Sequence, residues 1–187
     1  MKILIKNSKY ELFEKKSRFS ARSFSVNNEK EAIEIIKKIS EKYKDATHNV
    51  YAYKILENNV IKIRFSDAGE PKNTAGKPIS ELIERLDLIN TLIIVTRYFG
   101  GIKLGASGLL RAYLGSAKQV IDISGIEEFI QKYTFEFIFN YNIVNFVDNY
   151  LKDKKHATIL KKNFSEKVEY LISADMDTIE HLKSILK

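Results

Sequence analysis

The chain has 187 residues, 44% of them hydrophobic, enough apolar mass for one ordinary domain or two small ones, and no run approaches the roughly 20 apolar residues of a membrane span. The absence of cysteine excludes disulfides, thiolate nucleophiles, zinc–thiolate sites and iron–sulfur clusters, and with three histidines (His48, His156, His181) no metal or other cofactor is expected. The net charge of +7 is uneven, since residues 1–125 carry 22 basic and 14 acidic side chains (+8) and residues 126–187 carry 9 and 10 (−1), which suggests a polyanionic or acidic partner for the first part, or merely a lysine-rich soluble surface.

The N-terminal segment Met1 to Phe13 is strand-like, bears lysines and has neither an apolar signal core nor a cleavage site, so a cytoplasmic location is expected. Strands are predicted near 2–6, 9–14 and 18–26. A helix follows, capped by Asn27 or Asn28, with Ala32, Ile35, Ile36, Ile39 and Tyr43 at helical spacing. Residues 49–56 and 60–66 fit two strands joined by the turn Glu57-Asn58-Asn59 as an antiparallel hairpin. A short helix from Pro78 precedes a strand over 91–97, and Ser107 can cap a last helix whose apolar face includes Leu109, Leu110, Tyr113, Leu114, Ala117, Val120 and Ile121. Gly125 and the Glu127-Glu128 pair suggest a boundary, giving parts 1–125 and 126–187. The second part reads strand (133–140), helix (143–151), strand (157–162), strand (168–174), helix (175–186). A split β-α-β sheet normally closes with one more strand, and that last strand is missing from the pattern.

Both prolines and all eight glycines fall between residues 69 and 125. Within that stretch, Gly100-Gly101-Ile102-Lys103-Leu104-Gly105-Ala106-Ser107-Gly108 joins an apolar strand to a helix start. Free amides, the positive end of the helix dipole and Lys103 would suit a phosphate or carboxylate there. Ala106 stands where a P-loop requires lysine, and the same glycines also suit a tight turn for close packing. The loop from Arg64 to Pro78 offers Asp67 and Glu70, with Lys77 beside them. Two carboxylates three apart could bind a hard cation or act as acid and base; alternatively Asp67 forms a turn and Glu70 pairs with a nearby cation. His48, next to Asn49, could be a general base or a hydrogen-bonded structural residue. Tyr51, Tyr53, Tyr98 and Phe99 amid Arg64, Arg97 and Arg111 could stack on RNA bases or belong to the core.

The same residues resemble the IMPACT family, known in bacteria through YigZ-type proteins. The resemblance rests on Lys16-Ser17-Arg18-Phe19, on Asp45 to Asn49 with Tyr51-Ala52-Tyr53, on Arg64-Phe65-Ser66-Asp67 with Gly69-Glu70-Pro71 and Thr74 to Pro78, and above all on the run Thr96 to Gly105. It implies an α+β fold: an N-terminal domain like ribosomal protein S5 domain 2, then a small ferredoxin-like domain similar to those of elongation factor G. Both likenesses point toward the ribosome or RNA, and eukaryotic relatives regulate translation by binding the coactivator of a starvation-responsive initiation-factor kinase. The chain departs from the family at Lys72-Asn73 (usually Ser-Gly), at Ala68 (usually acidic) and at Ser107 (usually Gly). The expected function is therefore a translation-associated regulator, without a catalytic residue set, that binds RNA, the ribosome or an acidic protein. The alternative is an enzyme acting on a phosphorylated small molecule or nucleotide at residues 100–108. The anion-facing candidates are Arg64, Asp67, Glu70, Lys77, Arg97, Gly100, Gly101, Lys103, Gly105, Ser107 and Arg111, with His48 and Asn49 as a further polar pair.

Overall fold

The computed structural model describes residues 1–186 and divides them into two units, Met1–Phe129 and the residues from Ile130 onward. In the first, the elements run β1 (Lys2–Leu4), β2 (Ser8–Glu14), β3 (Ser17–Ser25), α1 (Glu29–Lys42), β4 (His48–Glu57), β5 (Val60–Ser66), α2 (Gly76–Arg85), β6 (Thr91–Tyr98), α3 (Gly105–Ser124) and β7 (Ile126–Glu128). Strands β2 to β6 form one antiparallel sheet in the order β2-β3-β6-β4-β5. The nearly unbroken apolar run of β6 is what a central strand covered on both faces requires. Its Ile93 and Val95 join Phe19, Ala21, Val50 and Ala52 in a core closed by α2 and α3. Leu92 and Ile94 point the other way, into a smaller core with Tyr53, Ile55 and the α1 residue Ala32.

The helix starts are set by three different devices. Asn28 caps α1 with its side-chain oxygen on the Glu31 amide. Helix α2 begins at Gly76, two residues before Pro78, and its cap comes from a distance: Asp67 accepts from the amides of Ala75 and Gly76. Gly76 has no room for a side chain, because a Cβ there would lie 2.6 Å from the Ser66 carbonyl carbon and oxygen. Helix α3 starts at Gly105, where φ is +72°, so Ser107 sits exposed inside the first turn instead of capping it.

Residues 126–128, read from sequence as the start of the second part, form β7 and pair antiparallel with β1. The second unit holds β8 (Tyr133–Phe139), a 3-10 turn (Tyr141–Ile143), α4 (Val144–Lys152), β9 (Thr158–Phe164), β10 (Val168–Ala174) and α5 (Met176–Ile185). Its sheet order is β8-β10-β9, antiparallel throughout, so β10 lies between the two strands that α4 connects. Phe137, Phe139, Val168, Tyr170 and Ile172 pack beneath Val147, Leu151, Ile179 and Leu182 of the two helices. No helix among the described residues is long and apolar enough to cross a membrane.

Candidate functional site

Strand register places His48, Arg97 and Phe19 in one row across β4, β6 and β3, on the sheet face that α2 and α3 cover. Above this row the β5–α2 loop brings in Glu70, and α3 brings in Tyr113. One Glu70 carboxylate oxygen, Oε1, accepts from Arg97 Nη1 at 2.7 Å and from the Tyr113 hydroxyl at 2.7 Å. All three residues are buried. His48 Nε2 stands 3.7 Å from the same oxygen, while His48 Nδ1 lies 2.9 Å from the Ala68 carbonyl. A carbonyl only accepts, so Nδ1 carries the hydrogen and the ring is tied to the β5–α2 loop.

Arg97 has further neighbours beyond Glu70. Its guanidinium carbon lies 5.4 Å from the ring centroids of both Phe19 and Phe99, and Nη2 reaches Ser17 Oγ at 3.4 Å. Its buried Nε has no hydrogen-bond partner among the described residues. Ser17 Oγ also accepts from the Gly100 amide, which joins the β6–α3 loop to the start of β3. Burial, and next the negative charge of Glu70, push the Tyr113 phenol far above its ordinary range. The result is a charge pair neutralised within the fold, joining the β5–α2 loop, the central strand and α3.

Of the thirteen residues expected from sequence, this hub gathers Glu70 and Arg97, with His48 at its edge. Asp67 is spent on structure: Oδ1 holds the Ala75 and Gly76 amides and Oδ2 the Asn73 amide. Asn49 lies on the opposite face of the sheet, accepting from Thr96 Oγ1 and donating to the Tyr43 carbonyl. Arg64 is exposed on the edge strand β5, in register with Tyr53, and donates to the Ile63 carbonyl. Lys77 faces Glu81 one turn along α2 at 3.8 Å. Gly100 is a packing residue, since a Cβ there would lie 2.0 Å from the carbonyl carbon and oxygen of Lys16.

What remains solvent-facing is the stretch from Gly101 to Ser107 with Arg111 one turn later. The amides of Gly101 to Leu104 donate no hydrogen bond to the described residues. A cleft of about 260 Å³ lies beside the start of α3, lined by Leu12, Glu14, Lys15, Leu104, Gly108 and Arg111, with Ala112. Lys15, Lys16, Lys103 and Arg111 have no carboxylate within 4.0 Å among the described residues. No group of three or more His, Asp or Glu side chains among the described residues could hold a metal ion.

Sequence reasoning missed three contributors. Tyr113 reads as one more apolar position of α3, and nothing local marks its hydroxyl. The Lys15-Lys16 pair forms a hairpin turn and Ser17 is the first residue of β3 after it, and their proximity to the glycine loop depends on tertiary packing. Tyr51 and Tyr53 stack on each other at 6.3 Å, and the Tyr53 hydroxyl donates to Glu29 of α1, so this pair belongs to the α1 side of the core.

The model of the Impact N-terminal domain matches residues 15–121. The IMPACT family member YvyE of Bacillus subtilis is 39% identical over 86% of this chain and 73% of its own length. A Haemophilus influenzae IMPACT family member is 30% identical over 92% of this chain and 84% of its own. A crystal structure of a hypothetical protein, 22% identical, superposes with a TM-score of 0.70 over 99% of this chain and 90% of that one, a likeness of fold.

Proposed function

The chain belongs to the IMPACT family, and we propose that it is a translation-associated regulatory binding protein whose first unit takes up RNA through the basic surface at the start of α3. Translation is the setting that the family resemblance implies, and an S5 domain 2-like first unit followed by a ferredoxin-like second unit is the matching structural reading. The observation that carries the RNA reading is the contrast between two sets of charges on one side of the sheet. Glu70 and Arg97 neutralise each other in the interior, whereas Lys15, Lys103 and Arg111 stand exposed without carboxylate partners beside free loop amides. An internal pair braces loops; unpaired surface cations attract a polyanion.

The arrangement supports binding over turnover. A general acid or base must reach a substrate, and the Glu70 side chain is 2% exposed with its Oε1 already taken by two donors.

Fluorescence anisotropy of a labelled RNA titrated across salt concentrations tests the proposal. Affinity should fall steeply with salt, and Lys103→Ala and Arg111→Ala should each reduce the slope by about one. Salt-independent binding, or an acidic protein ligand bound where RNA is not, would reject it.

A further inference from the structure

The opposite face of the same sheet carries a second arrangement that the charged loops do not account for. Register aligns Phe13 of β2, Arg18 of β3 and Tyr98 of β6 in one row. The Arg18 guanidinium lies over the Tyr98 ring at 4.6 Å from its centroid, and the Tyr98 hydroxyl donates to Asp45. Four residues further along β3, the buried Arg22 lies over the ring of Tyr43, at the end of α1, at 4.2 Å. Helix α1 packs on β4, and beyond it Phe13 is 68% exposed. The exposed Phe13 ring beside the half-buried Arg18–Tyr98 stack is a surface on which a base can stack.

The turn that ends this row is built against local preference. Lys15 and Lys16 are the two central residues of the β2–β3 hairpin, with φ of 44° and 63°. Positive φ at both positions is what type I′ turns require and what Asn-Gly supplies with least strain. The β4–β5 hairpin of this same chain meets the same requirement with Asn58 and Asn59, at φ of 51° and 61°. Lysines here give up local stability and place two cations at the seam between the Phe13 row and the cleft beside α3, which Lys15 lines. Gly100 fixes the turn from beneath, its Cα against the Lys16 carbonyl.

We infer that the Phe13–Arg18–Tyr98 row, with the Lys15-Lys16 turn, is a docking platform for unpaired nucleotides of a single-stranded nucleic acid. Charge selects the occupant. Lys15, Lys16 and Arg18 have no carboxylate within 4.0 Å among the described residues, while Glu11 is held by Lys9 at 2.9 Å, Asp45 accepts from Tyr98, and Glu14 lines the cleft beside α3. Aromatic faces accept any base, so the platform discriminates single strands from duplex more than one sequence from another. It shares Lys15 with the cleft beside α3, but its aromatic row lies apart from Lys103 and Arg111, so Phe13→Ala separates the two readings.

The 187-residue chain is titrated with labelled poly(U), poly(dT) and a duplex of mixed sequence, by anisotropy at several salt concentrations. Wild type should bind both single strands in preference to duplex. Phe13→Ala, at a position too exposed to affect folding, should weaken single-strand binding about fivefold or more while leaving the salt slope unchanged. The double variant Lys15→Asn/Lys16→Gly should unfold at an equal or higher temperature than wild type and yet bind the single strands more weakly, with a slope reduced by about two. Equal binding of duplex and single strand, or full affinity in Phe13→Ala, would overturn the platform. If Lys103→Ala and Arg111→Ala leave binding intact while Phe13→Ala removes it, the platform stands and the α3 surface does not; the reverse pattern removes the platform alone.

Discussion

Glu70 and Arg97 meet at 2.7 Å with 2% and 6% of their side chains exposed, one from a polar loop and the other from the central strand. Removing one member of such a pair strands the other charge in the interior. Glu70→Ala should therefore lower the stability of the first unit by about 3–5 kcal/mol. Replacing both, as Glu70→Leu with Arg97→Met, should recover part of that loss, because no buried charge is left unpaired. Urea unfolding of the full chain, followed by a probe in the first unit, measures both; equal losses in the single and double variants would contradict the account.

The Tyr113 phenol gives this hub a pH signature. Burial and the neighbouring Glu70 charge raise its folded-state value above the ordinary phenol value of about 10. The folded chain thus retains a proton that the unfolded chain releases in alkali. The stabilisation is whole below pH about 10 and declines above it by about 1.4 kcal/mol per pH unit as the folded value is approached. Tyr113→Phe should lose about 0.5–1.5 kcal/mol near neutrality, where the hydroxyl bond to Glu70 is missing. The same variant should show a shallower decline between about pH 10 and 11, as the linkage requires. Chemical denaturation at graded pH provides the comparison.

Asp67 should behave as a helix cap even though it lies outside the helix. Its carboxylate receives three loop and helix amides, from Asn73, Ala75 and Gly76. Asp67→Ala should cost about 1–2 kcal/mol and Asp67→Asn less, since the amide oxygen can still accept. Hydrogen exchange at the Ala75 and Gly76 amides reads the loss directly, and unchanged protection there would contradict the capping role.

Gly100→Ala tests how tightly the β6–α3 loop is fitted to the β2–β3 turn. A methyl group at that position has no space before the Lys16 backbone, so one of the two loops must move. A loss of about 1–3 kcal/mol is expected from such overpacking. Gly101→Ala meets no atom within 4 Å, and its penalty should come only from its φ of +86°.

The features readable in the sequence were those decided by neighbours along the chain. The Asn28 cap, the Asn58-Asn59 turn and the apolar run of β6 depend on residues a few positions apart, and the structure holds all three. The features that escaped depend on partners far along the chain. Asp67 caps a helix that begins nine residues later, which left Ser107 and Pro78 as the visible but mistaken markers of helix starts. Tyr113 reaches Glu70 across 43 positions, and its hydroxyl leaves no trace in the spacing of an apolar helix face. The candidate site was legible in composition, since glycines and cations cluster where the loops meet. Which of those residues are spent inside the fold and which face solvent required the register of β3, β6 and β4.

The pairing of β1 with β7 joins residues 2–4 to residues 126–128, the two extremities of the first unit. During synthesis Lys2 can bond to Asp87 and Ile89 once these have emerged, whereas the pairing of β1 must wait for residues 126–128. A chain halted between residues 98 and 126 therefore holds residues 2–4 from one side only, and the completed clasp is the event that marks the first unit as finished.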